Sequence, residues 1–149
     1  MGEPWRISTG LARFRPDGFT YLTVPPLKRK GTEYRTAFVT DYTGSLHAHV
    51  RSITIDATGV AKRTLHANIG TLAPRFAWVK ARIIDTATGQ TIPGYGFADC
   101  DPLDDDRLDH TFTWNGSSSL AKVKAADIQV EFQLFGTLDS PRLHSFWFR

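Results

Sequence analysis

The chain has 149 residues, of which 41% are hydrophobic and 22% charged, a balance typical of one folded domain with a core of its own. No segment approaches the ~20 apolar residues of a membrane-spanning helix, and no charged segment followed by an apolar run marks a signal peptide. The single cysteine, Cys100, excludes an internal disulfide and a cysteine-built zinc site. We expect one domain over residues 1–149 with no membrane association, whose parent protein can still be secreted or periplasmic.

The net charge of +3 is unevenly distributed along the chain. Residues 1–75 hold 11 Lys and Arg against 5 Asp and Glu, whereas residues 76–149 hold 7 against 10. The basic residues are scattered except for Lys28, Arg29 and Lys30, which follow a double proline. This pattern predicts a solvated loop rather than a nucleic-acid surface.

Short segments with the period of two expected of β-strands follow one another along the chain. The candidate strands are 19–24, 34–40, 45–56, 62–70, 76–85, 107–114, 128–136 and 143–149. Turn residues separate them at intervals of about 8 to 14 residues, as in antiparallel sandwiches. We therefore predict an all-β fold, an antiparallel β-sandwich of jelly-roll type.

Strand alternation sorts the aromatic residues into core and surface. Trp114 is in register with Phe112, which predicts that it is core. Trp78 is out of register with Val79, Ala81 and Ile83, and it shares its face with Lys80 and Arg82. Trp147 is likewise opposite to its apolar neighbours. Since sugar rings stack their C–H faces on aromatic rings, we predict a glycan site. Its candidate residues are Trp78, Lys80, Arg82, Trp147, Tyr95 and Tyr42.

The aromatic residues and the two basic residues beside Trp78 each have an alternative interpretation. A loop or a partner domain can cover both strand faces, in which case the tryptophans are structural. Lys80 and Arg82 would suit an anionic sugar, but they are equally typical of an ordinary charged rim.

Six aspartates lie between Asp99 and Asp109. Glycosidases need two carboxyl groups that face each other across a cleft, which a single segment does not supply. Calcium takes carboxylate and carbonyl oxygens, and Asp99, Asp101 and Asp104 are the candidate ligands. An EF-hand is excluded, because its sixth position must be glycine and, counted from Asp99, that position is Asp104. The alternative is a solvated turn with Asx-type hydrogen bonds. Cys100 is interpreted as a small buried hydrophobe.

The histidines offer a second metal hypothesis. His47 and His49 are two residues apart on one strand and can share a metal with a third ligand such as His66. The alternative is a pair of polar side chains on an exposed strand face. No G-x-S-x-G elbow and no glycine-rich phosphate loop is present in the sequence.

Three segments carry a family resemblance: VKARIIDTATGQTIPGYGFADCDPL, HTFTWNGSSSLAKVKAADIQVEFQLFG and the closing LHSFWFR. Over residues 76–149 the chain resembles the C-terminal β-sandwich module of bacterial glycoside-hydrolase-like proteins related to families 32 and 43. The segment GLARFRPDGFTYL resembles the join to the preceding propeller, so residues 1–18 are a candidate remnant of an interdomain linker. Since the catalytic carboxylates of such enzymes lie in the propeller, the resemblance implies a noncatalytic sandwich.

The leading hypothesis is therefore a noncatalytic accessory module that binds a polysaccharide or oligosaccharide and requires no cofactor, with calcium as an optional structural ion. The second is a structural sandwich that packs on a catalytic propeller through Trp78 or Trp147. The third is a stand-alone metal-dependent hydrolase that uses the histidines and aspartates.

Overall fold

A computed structural model describes residues 22–23, 28–29, 42–43, 47–71, 76–136 and 140–149. The predicted strand 34–40 and the predicted linker remnant 1–18 lie outside the described residues. Within them the strands are β1 Leu22–Thr23, β2 Lys28–Arg29, β3 Tyr42–Thr43, β4 His47–Arg51, β5 Ile55–Asp56, β6 Leu65–Gly70, β7 Trp78–Asp85, β8 Arg107–Thr111, β9 Asp127–Phe135 and β10 Arg142–Phe148. Among the described residues a 3-10 turn, Val60–Lys62, precedes β6, and no described helix is long and apolar enough to cross a membrane.

The long strands form two antiparallel sheets. In the first, the strand order is β1-β10-β6-β8. In the second, β9 is central: β7 pairs along one of its edges, while β4 and β5 pair with successive parts of the other. The two residues of β2 pair with those of β3, so Lys28 and Arg29 lie in a short strand rather than in the predicted loop.

The core lies between the two sheets because both supply one apolar strand face. In the second sheet, alternate residues of β7 and β9 are fully buried, whereas the residues between them are mostly half-buried. Phe132 of β9 contacts Phe146 of β10, with ring centroids 4.9 Å apart, and Phe112, which directly follows β8, with centroids 5.8 Å apart. The predicted β-sandwich is therefore confirmed, with a core of interdigitated side chains.

Trp114 is core, as the alternation predicted. It is 3% exposed, and its indole Nε1 donates to the carbonyl of Ala81 at 3.2 Å. The same alternation puts Leu108 on the face of Phe112 and Trp114, but Leu108 is 48% exposed. The register between β6 and β8 shifts near Leu108, and such a bulge breaks the two-residue alternation.

Candidate functional site on the outer face of the second sheet

The side chains of β4, β9 and β7 that point away from the core form a surface that we call the outer face. Strand register aligns these side chains in three rows across the sheet. The aromatic row is His47, Phe135 and Trp78. The middle row is His49, Gln133 and Lys80. The charged row is Arg51, Glu131 and Arg82.

The aromatic row presents two nearly parallel rings. Trp78 and Phe135 are stacked with centroids 5.1 Å apart and planes 16° apart, and both are half-buried. His47 packs against both rings, 6.1 Å from Trp78 and 4.9 Å from Phe135. Phe76, two residues before Trp78, is 77% exposed. The row therefore combines an ordered aromatic pair with solvent access.

The middle row places hydrogen-bonding groups beside those rings. The ammonium of Lys80 lies 5.6 Å from the Trp78 ring centroid and donates to the carbonyl of Phe97 at 3.2 Å. Gln133 Nε2 donates to His49 Nε2 at 3.3 Å. Lys80, Gln133 and His49 are thus held by contacts within the row and with the Phe97 loop.

Glu131 organises the charged row. Its carboxylate accepts hydrogen bonds from Arg51 Nε at 2.8 Å, from Arg82 Nη2 at 3.0 Å and from His49 Nδ1 at 3.1 Å. Glu131 is 5% exposed. Burial raises its pKa, but the hydrogen bonds from Arg82, Arg51 and His49 outweigh burial and hold the pKa below its usual range. The carboxylate therefore stays charged at neutral pH and fixes both guanidinium groups.

Phe97, from the loop after β7, packs over the end of these rows. The Arg82 guanidinium lies 5.0 Å from the centroid of its ring, and His49 meets the ring edge-on at 5.5 Å. This stacked arginine is a favourable cation–π contact. Since His49 is on β4 and Arg82 is on β7, the Phe97 ring lies over the sheet between these strands and covers part of the middle and charged rows.

The structure brings together three of the predicted site residues, Trp78, Lys80 and Arg82, on one sheet face. Tyr95 was predicted as an exposed loop platform, and this prediction is wrong, because its ring is 3% exposed and meets Trp114 edge-on at 5.2 Å. Its hydroxyl donates to the Ser119 carbonyl at 2.9 Å and accepts from Lys122 N at 3.2 Å, so burial leaves no polar atom of the side chain unsatisfied. Tyr42 lies in β3, and its side chain is outside what the structure describes.

Trp147 belongs to the opposite surface of the sandwich, on β10. It is half-buried and stacks on the His66 ring, with centroids 5.9 Å and planes 16° apart. His66 in turn lies 2.6 Å from Asp109 Oδ1 and 2.7 Å from the Thr64 hydroxyl. Arg149 donates to Asp109 Oδ2 at 3.1 Å. A hydroxyl, an imidazole and a carboxylate follow one another here, but Trp147 covers the imidazole. We therefore assign the cluster a structural role, which is to hold β10 against β6.

This placement corrects the histidine hypothesis. His47 and His49 share the outer face of β4, as the alternation predicted, but His66 lies on the other sheet, at the opposite surface of the sandwich. A site built from all three is therefore wrong. Among the described residues, no group of three or more His, Cys, Asp or Glu side chains is placed to hold a metal ion.

In the segment 99–109, which we call the acidic loop, the first two aspartates are hydrogen-bond acceptors. Asp101 Oδ2 accepts from the Thr113 hydroxyl at 2.6 Å and from Gly116 N at 2.8 Å, and these two bonds lower its pKa. Asp99 accepts from Gly96 N at 3.2 Å and from Asn115 Nδ2 at 3.3 Å. This bonding agrees with the interpretation as a turn. Calcium at Asp99, Asp101 and Asp104 stays a prediction.

Cys100 faces inward, as predicted, and is 2% exposed. Its sulfur accepts a hydrogen bond from Ala81 N at 3.2 Å. Burial raises the pKa of the thiol to about 11, so the thiolate is scarce at neutral pH and the side chain is a poor nucleophile.

Sequence reasoning missed the residues that β9 contributes to the site. Glu131, Gln133 and Phe135 are not among the residues that the sequence predicted for the site. One further step of the same alternation puts Phe135 beside Gln133. What alternation does not supply is the cross-strand register that sets Phe135 between His47 and Trp78.

Comparison with protein-family models, with curated proteins and with solved structures finds no match. The function is therefore inferred from the geometry of the outer face.

Proposed function

We propose that this domain is a noncatalytic carbohydrate-binding module whose glycan lies on the outer face of the β4–β9–β7 sheet. The observation that carries the proposal is the stacked pair of Trp78 and Phe135 in register with a row of polar side chains. An apolar platform with a few fixed polar groups beside it is the usual composition of a small-ligand site. The resemblance to sandwich modules of glycoside-hydrolase-like proteins supports the same class of function.

Each row has a separate role in this proposal. The sugar ring packs its C–H face on the aromatic row, where Trp78 is the larger surface. Ring hydroxyls exchange hydrogen bonds with Lys80, Gln133 and His49 of the middle row. The charged row lies beneath Phe97 and holds the edge of the site in place. No bond of the glycan is broken, since binding by stacking and hydrogen bonding needs no nucleophile.

The test is binding of the folded domain to a glycan array, followed by calorimetry on the best ligand. Replacing an anchoring tryptophan with alanine typically costs about 2 kcal/mol or more, roughly thirty-fold in Kd. We expect Trp78→Ala to lose at least this much affinity. Trp147→Ala is the matched control, because it removes a half-buried tryptophan from the opposite surface, and we expect it to retain affinity.

Two results would contradict the proposal. One is a folded wild-type domain that binds no glycan on the array. The other is a reversed order, in which Trp147→Ala abolishes binding and Trp78→Ala does not.

A structural role as the partner of a catalytic domain is the second candidate. Phe76 and Ile53 favour it, because they are 77% and 84% exposed and large apolar side chains are commonly covered at interfaces. The genomic neighbourhood discriminates the two functions: a propeller encoded with this domain can be co-expressed and tested for co-purification. Loss of the complex in Phe76→Ser, with no glycan binding by the wild type, would favour docking.

A further inference from the structure

We propose that the glycan bound on the outer face is acidic, and that Lys80 binds its carboxylate beside Trp78. This inference rests on the proposed carbohydrate-binding function and specifies the chemical class of its ligand.

The charge balance of the outer face is the first support. Its three rows carry three permanent positive charges, on Lys80, Arg51 and Arg82, against the single negative charge of Glu131. The Glu131 carboxylate already accepts from both arginines and from His49. The Glu131 carboxylate therefore does not also neutralise the ammonium of Lys80, which lies in the neighbouring middle row. The face therefore attracts an anion and repels a cation.

The position of the ammonium is the second support. Lys80 Nζ lies 5.6 Å from the Trp78 centroid and gives one hydrogen bond, to the Phe97 carbonyl at 3.2 Å. An ammonium carries three N–H donors, so two remain for a ligand. A sugar that stacks on Trp78 thus brings its ring substituents alongside a charged donor that is already fixed in place. A uronic acid, which carries a carboxylate on the ring, matches both groups at once.

The acidic loop lies near Lys80, and its carboxylates are the groups that would compete with a ligand anion for the ammonium. The hydrogen bonds from Thr113 and Gly116 are the larger causes of the lowered pKa of Asp101, and the positive charge of Lys80 lowers this pKa to a smaller extent. Its Oδ2 accepts both of those bonds, and Asp99 is bonded to Gly96 and Asn115. Three of these four partners lie in the segment 113–116 after β8. Neither carboxylate forms an ion pair with Lys80, so the remaining donors of the ammonium are available to a ligand.

The experiment compares ligands that differ only in charge. Oligomers of galacturonate, glucuronate and guluronate are each paired with their methyl esters, which keep the sugar and remove the negative charge. Affinities are measured by calorimetry at low and at physiological salt. We expect at least one acid to bind tenfold or more tightly than its ester, with the advantage reduced at higher salt because ions screen exposed charges.

Two lysine variants assign the effect. Lys80→Met should reduce the tenfold preference for the acid to less than threefold. The ester should lose less affinity than the acid, because it loses only a hydroxyl contact of the ammonium and no charge pair. Lys122→Met is the control, since Lys122 is exposed on the loop beside Tyr95, outside the three rows. It should keep the full preference, and this outcome excludes a general effect of lowering the net charge.

Four outcomes would overturn the inference. Equal affinity for acid and ester refutes the acidic ligand, and a preference that Lys80→Met does not change refutes the role of Lys80; both leave the stacking function intact. Binding of neutral glycans on the array by a domain that binds none of the acids has the same meaning. If the folded domain binds no glycan, neutral or acidic, the carbohydrate-binding function fails together with the inference.

Discussion

Replacing Trp78 with alanine should cost much less folding stability than replacing Trp114. Trp78 is the first residue of β7, and Trp114 contacts Ala81 of the same strand. Trp114 is 3% exposed in the core and bonded to the Ala81 carbonyl, whereas Trp78 is half-buried on the outer face. If the outer face is a binding surface and not a second core, most of the burial energy that the Trp78 ring can supply does not contribute to the free energy of unfolding.

The contacts of each ring set the magnitudes. Trp78 has one stacked aromatic partner, about 0.5–1.5 kcal/mol, and one exposed cation–π contact, about 0.5–1 kcal/mol. Its loss should therefore cost about 1–2.5 kcal/mol. Removing Trp114 leaves a cavity in the core, which typically costs about 3–5 kcal/mol, and it also leaves the Ala81 carbonyl without its donor, about 1 kcal/mol more.

Urea unfolding followed by circular dichroism measures both costs, because the free energy of unfolding falls linearly with urea concentration. Thermal melts give a second measurement at about 2–4 °C for each kcal/mol in a domain of this size. Equal losses for Trp78→Ala and Trp114→Ala would show that Trp78 is core. The outer face would then be covered, and the proposed glycan site would lose its platform.

Four further predictions concern single residues. Glu131→Gln should destabilise the domain by about 1.5–3 kcal/mol at pH 7, the value of hydrogen bonds to a charged group. Because the pKa of Glu131 is lowered, this stabilisation is present above the unfolded pKa and is lost as pH falls through the folded pKa. The free energies of unfolding of variant and wild type should therefore converge in acid. Gly136→Ala should lower the melting temperature, since a Cβ there would lie 2.9 Å from the Ala77 Cβ and closer still to the Ser140 carbonyl oxygen; an unchanged melt would show that this contact relaxes freely. Cys100 should resist Ellman's reagent at pH 8 until urea unfolds the chain, because burial raises its pKa to about 11; rapid labelling of the folded domain would contradict its burial. Asp101→Ala should destabilise the domain equally with and without chelator because Asp101 bonds Thr113 and Gly116, whereas a wild-type melting temperature that rises with calcium would support the ion instead.

The two-residue alternation of the long strands was sufficient to predict the sandwich and one edge of the site. It placed Trp78, Lys80 and Arg82 together and separated Trp114 from them, because neighbouring residues of a strand point to opposite faces. It failed where the chain departs from that period. Leu108 lies beside a register shift, and Tyr95 lies in a turn, where side-chain direction does not follow from spacing.

The register between strands was the part of the site that the sequence could not supply. Pairing β9 with β4 and β7 joins segments more than 40 residues apart, and a shift of one residue would put the opposite set of side chains on the outer face. The same limit explains the histidine hypothesis. His66 resembles His47 and His49 in its strand pattern, but the sheet to which a strand belongs is set by its partners.

The central position of β9 gives the outer face the rigidity that the proposed glycan site requires. Pairing on both edges leaves its backbone little freedom, and its inward side chains, such as Phe132, anchor it in the core. On its outward side, Glu131 fixes two arginines and His49, while Phe135 fixes the plane of Trp78. Groups that are already ordered lose little entropy when a ligand binds. A few hydrogen bonds and one stacking contact on this strand can therefore give useful affinity to a shallow site, which would not hold for the same residues on a loop.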